Sequence, residues 1–313
     1  MGDESRRATV ADDLRESEAV ELPRPVALHR ERRSHDVVLE GEQGSRFPSW
    51  HAGDHRKVSS HLQGGERSDG RSYGAPMTDM VTTERRDGGV LVCHLDDGKA
   101  NALSRDVIAN VLDVVDEAET DDTVSALVIH GREGRFSGGF DLGVMRGDDL
   151  AAIVDLVSDG GELVRRLYSS SVPVVAACTG HALAAGALML LGCDVRVGAD
   201  VDCKIGLNEV VIGMVLPDWA FTIAVDRLSR RHLQRAVATA RLTDAAGAVD
   251  AGYLDEVVPA PDVLEVAVAR AAEFAALHPA AYAGTVAKLR GDVLSTMAAQ
   301  IAADRTAGTA PTV

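Results

Sequence analysis

From Val90 onward the chain alternates short runs of consecutive apolar residues with longer stretches in which apolar residues recur every three or four positions. Val90–Leu95 is a predicted strand, closed by the turn signal Asp96-Asp97-Gly98. Ser104 stands where an N-cap belongs, and Val107, Val111, Leu112 and Val115 form an apolar stripe at helical spacing behind it. Ser125–His130 and Pro173–Cys178 are predicted buried strands, with a helix over Leu150–Tyr168 between them. Another helix is expected through Leu188–Leu191 to Gly192-Cys193-Asp194. Strands that are apolar at nearly every position are covered on both faces, which predicts an α/β fold. Beyond about residue 259 only helical patterns remain, over Val263–Ala276, Ala280–Leu289 and Asp292–Ala303.

The first 76 residues have no such pattern. They hold 12 basic and 14 acidic side chains and five of the ten histidines, with many serines and glycines. Such a stretch buries too little apolar area to offset chain entropy, so it is expected to be disordered. Met77 or Met80 opens the patterned region, and an over-extended start fits the upstream text better than a regulatory tail does. The expected organisation is therefore an extension over 1–76, a core over 77–258 and a helical region over 259–313. The formal charge of the whole chain is −16. An acidic surface repels phosphate backbones, which argues against a nucleic-acid binder, and no apolar run is long enough for a membrane span. Cys93, Cys178, Cys193 and Cys203 sit in apolar stretches without C-x-x-C spacing. They read as buried thiols of a reducing compartment, the cytoplasm, and no metal site is expected.

Two glycine-rich segments directly follow predicted strands. In Phe136-Ser137-Gly138-Gly139-Phe140-Asp141-Leu142 the paired glycines let the backbone turn sharply and present N–H groups. In Thr179-Gly180-His181-Ala182-Leu183-Ala184-Ala185-Gly186-Ala187 only small side chains precede a helix, so a ligand or another backbone can approach closely. Each alone suits an ordinary turn. Together they suggest two backbone donors converging on one oxygen, an oxyanion hole suited to the enolate of a thioester. A third segment, Gly206-Leu207-Asn208-Glu209-Val210-Val211-Ile212-Gly213-Met214-Val215-Leu216-Pro217, sets one carboxylate beside an apolar run. Desolvation there would lift Glu209 towards proton-transfer range.

These three segments, in this order and spacing, resemble the crotonase (enoyl-CoA hydratase/isomerase) superfamily over about residues 82–305. The resemblance implies a spiral of ββα units with a C-terminal helical trimerisation region, in trimers or dimers of trimers, acting on acyl-CoA thioesters. It needs no cofactor beyond the coenzyme A of the substrate. It places the oxyanion donors on the N–H groups of Phe140 and Ala185 and the distal catalytic glutamate on Glu209. The substrate and its CoA moiety would lie along Ala100, Ala102, Leu103, Gly139, Asp141, Leu142, Gly186 and Leu188, with Lys99 and Arg135 as candidate phosphate contacts. Trp219, Phe221 and Met214 are candidates for an acyl tunnel or for plain core packing.

One departure bears on the reaction. The family's second catalytic glutamate, used by hydratases, falls on Leu188, which cannot carry a proton. A single base suffices to move a double bond, so the expectation is a Δ3,Δ2-enoyl-CoA isomerase. The alternatives are a hydratase in which water or Asp218 replaces the missing acid, and a non-catalytic CoA-binding scaffold.

Overall fold

A computed structural model describes residues 80–308, which fall in the unit spanning Glu66–Val313. The disorder expected over 1–76, and Met77, lie outside the described residues. In chain order the first elements are β1 (Val81–Arg86), β2 (Val90–Leu95), β3 (Ala102–Leu103) and α1 (Arg105–Thr120). Then come β4 (Ala126–Gly131), β5 (Gly134–Ser137), β6 (Gly139–Phe140), α2 (Leu142–Met145) and α3 (Leu150–Ser169). The middle of the chain supplies β7 (Val174–Cys178), β8 (Gly180–Leu183), α4 (Ala185–Leu191), β9 (Val195–Asp200) and β10 (Ile205–Gly206). After a 3-10 turn over Glu209–Ile212 follow α5 (Asp218–Arg227), α6 (Arg230–Val237), α7 (Ala245–Ala251), β11 (Glu256–Pro259), α8 (Val263–Glu273) and α9 (Pro279–Ala307).

The main sheet has the order β1-β2-β4-β7-β9-β11, antiparallel only at β1. Its inner strands β2, β4 and β7 are apolar at consecutive positions because both faces are covered, whereas the edge strand β1 is largely exposed. Leu91, Cys93, Leu127 and Ile129 face the principal core with α1 and α3, whereas Val90, Val92, Ala126 and Val128 face Val263, Ala267 and Ala271 of α8. Ser104 caps α1 as its position implied, its Oγ accepting the Val107 N–H at 3.2 Å. All four cysteines are buried and free. Where β2 and β4 leave this face, His94 Nδ1 lies 2.9 Å from His130 Nδ1, and His94 Nε2 lies 3.1 Å from Glu84. Burial and the neighbouring His94 push His130 down to about 4, so it packs as a neutral ring. Among the described residues no helix is long and apolar enough to cross a membrane.

A second, three-stranded parallel sheet, β10-β8-β5, and the pair β3-β6 stand apart from the main sheet. Both segments expected as glycine-rich loops therefore contain strand residues. Gly180–Leu183 and Gly139–Phe140 are too short for a periodic signal to reveal them.

The C-terminal region corrects a second expectation. Two helices broken near Gly291 are in fact one helix, α9, of 29 residues. Glycine inside a helix costs about 1 kcal/mol relative to alanine, and the neighbouring Arg290 outweighs it. Its guanidinium reaches Asp194 at 2.5 Å, donates to the Tyr168 carbonyl at 2.8 Å, and stacks 4.3 Å over the Tyr168 ring. Asp194 is held in turn by the Val174 N–H at 2.7 Å and the Tyr282 hydroxyl at 3.0 Å. Further along, Thr222 of α5 donates to Gln300 at 2.9 Å, and Ile301 packs with Trp219 against Gly161 of α3. The last helix thus folds back across its own α3 and α5.

Because Arg290 and Asp194 are both nearly buried, removing one leaves an uncompensated charge. Arg290→Met is expected to destabilise the fold by about 3–5 kcal/mol, read as a lowered denaturant midpoint with an unchanged m-value.

Candidate active site

The three chemistry-bearing segments leave the same edge of one small sheet. β5, β8 and β10 are parallel neighbours, so their carboxyl ends point the same way. β5 runs into Gly138-Gly139-Phe140, β8 into Ala184-Ala185, and β10 into Leu207-Asn208-Glu209. The Ala184 N–H donates to the Gly206 carbonyl at 3.0 Å, which locks the second turn against the strand leading to the carboxylate.

The first turn is braced from the other side by residues that a sequence reading passes over. Asp97 accepts the N–H groups of Lys99, Asn101 and Ala102 at 2.7, 2.8 and 3.0 Å. Burial works against its ionised form, but these donors and nearby Arg132 prevail and hold the carboxyl below its ordinary value. Asn101, at φ +50°, sends its amide to the carbonyls of Leu95, Arg135 and Phe136 at 2.8, 3.2 and 3.3 Å. Ser137 Oγ donates to the Asn101 carbonyl at 2.8 Å and accepts the Gly139 N–H at 3.2 Å. β3 is thereby pinned beside β6. Asp97 enters the sequence as no more than a turn former, and no local pattern marks its three-donor role.

The Asp141 N–H makes the ladder bond to the Leu103 carbonyl at 3.1 Å. Successive N–H groups along a strand point to opposite sides, so the Phe140 N–H points away from β3. The amino end of α4 lies next to this strand. A Cβ added to Gly139 would sit 3.4 Å from the Ala185 nitrogen and 2.9 Å from the Leu183 carbonyl. One added to Gly186 would lie 2.5 Å from the Ser137 carbonyl. The small residues are therefore needed because two backbones touch. Ala185 opens α4, so its N–H has no carbonyl one turn back to bind. Ala184, just before it, adopts φ +52° and ψ −123°, a conformation natural to glycine and strained for alanine.

Glu209 is 7% exposed, and its Oε2 accepts no hydrogen bond among the described residues. Desolvation pushes its carboxyl up to about 7, against the opposing pull of the Glu209 and Asn208 N–H groups. Tyr253 is fully buried, and its hydroxyl is raised first by burial and then by the Glu209 carboxylate beside it. Nothing in the local text around Tyr253 signals this neighbour 44 positions away.

The other expected residues divide. Leu188 is buried one turn into α4 and Gly186 is buried beside Ser137, while Leu103 is buried and Ala102 half-buried on β3. Ala100 and Leu142 are exposed, and the Asp141 side chain is spent capping α2 through the Gly143 N–H at 2.7 Å. Lys99 is exposed, and Arg135 donates to the Gly134 carbonyl at 2.9 Å. Asp218 is an exposed first residue of α5, close enough to Asp304 to help burial raise that carboxyl. Trp219 is core packing against α3, and Phe221 faces outward. The Phe140 ring lies directly on Gly160 of α3, so any larger residue at 160 would displace it.

Two variants probe the strain and desolvation held here. Ala184→Gly is expected to raise stability by about 1 kcal/mol in denaturant titrations. Glu209 keeps in the folded state a proton that the unfolded chain loses near its ordinary value of 4.5. Its contribution is full below that value and lost as pH rises through about 7. Glu209→Gln has no such loss. Its stability advantage should grow between pH 4.5 and 7, reaching about 3 kcal/mol at higher pH.

The enoyl-CoA hydratase/isomerase family model matches residues 85–312. Mouse mitochondrial enoyl-CoA delta isomerase 1 is 33% identical over 208 residues, 66% of this chain and 72% of that protein. A probable enoyl-CoA hydratase of Mycobacterium avium is 31% identical over 198 residues, 62% of this chain and 76% of that one. Among solved structures, a Mycobacterium tuberculosis protein described both as an enoyl-CoA isomerase and as a probable enoyl-CoA hydratase superposes with a TM-score of 0.69 at 39% identity, covering 73% of this chain and 98% of that one. With the small parallel sheet, the braced turns and the sequence agreeing over the same span, this chain belongs to the enoyl-CoA hydratase/isomerase family.

Proposed function

We propose that the chain is a Δ3,Δ2-enoyl-CoA isomerase with Glu209 as its proton carrier. One observation carries this reading: a buried carboxyl poised near neutrality stands at the shared strand edge, while the family's second acid position is a buried leucine, Leu188. The thioester oxygen of a 3-enoyl-CoA lies between the N–H groups of Phe140 and Ala185. Glu209 takes a proton from C2, and the electron pair moves onto the thioester oxygen as a dienolate, which the two N–H groups stabilise. The pair then returns through the carbon chain, C4 takes the proton back from Glu209, and the double bond rests between C2 and C3. No atom is gained or lost, so neither a water nor a second acid is needed. Acyl-CoA contacts along Ala100, Ala102, Leu103 and Leu142, and assembly into trimers, belong to the same proposal.

Hydration would require another group to deliver water. Asp218, the candidate for that duty, is exposed at the start of α5 beside Asp304, and nothing in its placement favours it.

The test is product analysis with 3-enoyl-CoA and 2-enoyl-CoA in parallel. Interconversion of the two without 3-hydroxyacyl product is expected; robust 3-hydroxyacyl formation overturns the isomerase. The rate kcat/KM should rise with pH through a midpoint near 7 as Glu209 ionises. Glu209→Gln should lower turnover by about 10²–10⁴-fold while acyl-CoA binding persists.

A further inference from the structure

A cavity of about 300 Å³ opens between α6, α7 and the segment joining them, lined by Arg231, His232, Arg235, Arg241, Thr243 and Asp250 among others. Three exposed arginines contribute to that lining. Ten arginines among the described residues, from Arg85 to Arg305, sit in ion pairs. Arg231, Arg235 and Arg241 make no side-chain hydrogen bond or ion pair among those residues. In a chain of formal charge −16, acidic partners are not scarce.

The cluster is built by the backbone. Arg231 and Arg235 are four residues apart on α6 and so share a helix face. Arg241 is brought beside them by a left-handed residue, Ala240 at φ +48°, which lets the Arg241 N–H donate to the Arg235 carbonyl at 2.9 Å. Alanine is strained in that conformation. Two carboxylates share the lining. Asp244 already accepts the Gly247 N–H at 2.8 Å as the cap of α7, and Asp250 is exposed on α7. Three fixed cations against two carboxylates leave the lining positive.

This cavity is separated from the candidate active site by a single strand. One edge of β10 pairs with β8, which leads to Ala184 and Ala185. Its other edge is bridged by Thr243, whose N–H and carbonyl exchange 2.9 Å bonds with Ile205. Leu242 rests against Gly206, three residues before Glu209. The cationic cavity and the catalytic turn thus lie on opposite sides of β10, and Lys99 and Arg135 belong to neither α6 nor α7.

We propose that this cavity is a second binding site, specific for a small phosphate-bearing anion and distinct from the acyl-CoA site. Guanidinium groups present paired donors matched to phosphoryl oxygens, and three of them around one small cavity fit a diphosphate better than a lone carboxylate. The volume suits a diphosphate or a phosphorylated metabolite of similar size. This inference is independent of which reaction Glu209 performs, because its readout is binding.

The experiment is calorimetric titration of the full-length protein with inorganic pyrophosphate at near-physiological salt. One saturable site per chain is expected, weakened at least tenfold in the Arg235→Gln/Arg241→Gln double variant. An Arg146→Gln variant, which removes one positive charge elsewhere, should bind as the wild type does. Saturating pyrophosphate should also raise Tm in the wild type and leave the double variant unmoved, which separates a lost site from a misfolded variant. The proposal is overturned by no saturable binding to the wild type or by equal affinity in the double variant. It is also overturned if free coenzyme A displaces the pyrophosphate, since the cavity would then serve the substrate's own phosphates.

Discussion

A side chain at Gly139 would press against the amide of Ala185 and the carbonyl of Leu183, and the site depends on β6 and the start of α4 lying that close. That approach requires glycine at 139 and 186, where any side chain would strike the facing main chain. Ala184, at the turn into α4, holds an unfavourable conformation. The site also requires β3 to stay beside β6, which Asp97 and Asn101 secure through a set of bonds to the main chain. Under the proposed chemistry, backbone donors held in this way would not have to reorganise as negative charge developed on a carbonyl oxygen, and preorganisation of this kind is the main source of electrostatic catalysis.

Glu209 lives under the opposite constraint. Burial that would merely destabilise a structural carboxylate would, under the proposed isomerase chemistry, give Glu209 the range a proton carrier needs. Strand β10 delivers it to the common edge, and the 3-10 turn closes with Gly213 in the left-handed region. The exposed run Val210, Val211 and Ile212 follows at once, so the carboxylate sits at the boundary between core and an outward-facing apolar surface. Stability is given up at Ala184 and Glu209 alike. The proposed proton transfer, rather than packing alone, would account for both losses.

Three of the six main-sheet strands, β2, β4 and β7, were legible because they are apolar at consecutive positions, a signal that survives without context, whereas β1, β9 and β11 carry polar residues or are short and went unread. Val90–Leu95 and the cap at Ser104 stand where the pattern put them, and the strand expected over Ser125–His130 is displaced by one residue. The two-residue strands β3, β6 and β10 were not legible, since pairing that short is imposed by partners distant in sequence. Gly291 read as a helix break because its propensity is local, whereas the Arg290–Asp194 pair that overrides it spans 96 positions. Glu209 was legible as a carboxylate beside an apolar run. Tyr253 beside it, and Asp97 beneath the first turn, were not, for their roles arise only when the chain has folded.

The fastening of α9 has a consequence for the order of events during synthesis. The Phe140 ring rests on Gly160 of α3, and the next residue, Gly161, is covered by Trp219 together with Ile301. Asp194, near the end of α4, waits for Arg290 and Tyr282. A nascent chain that has made all three strand-edge turns but not yet this helix therefore has Asp194 without its counter-ion and an indole without its cover. Completion of the site awaits emergence of α9 from the ribosome, so partly made chains are the species most in need of chaperone protection.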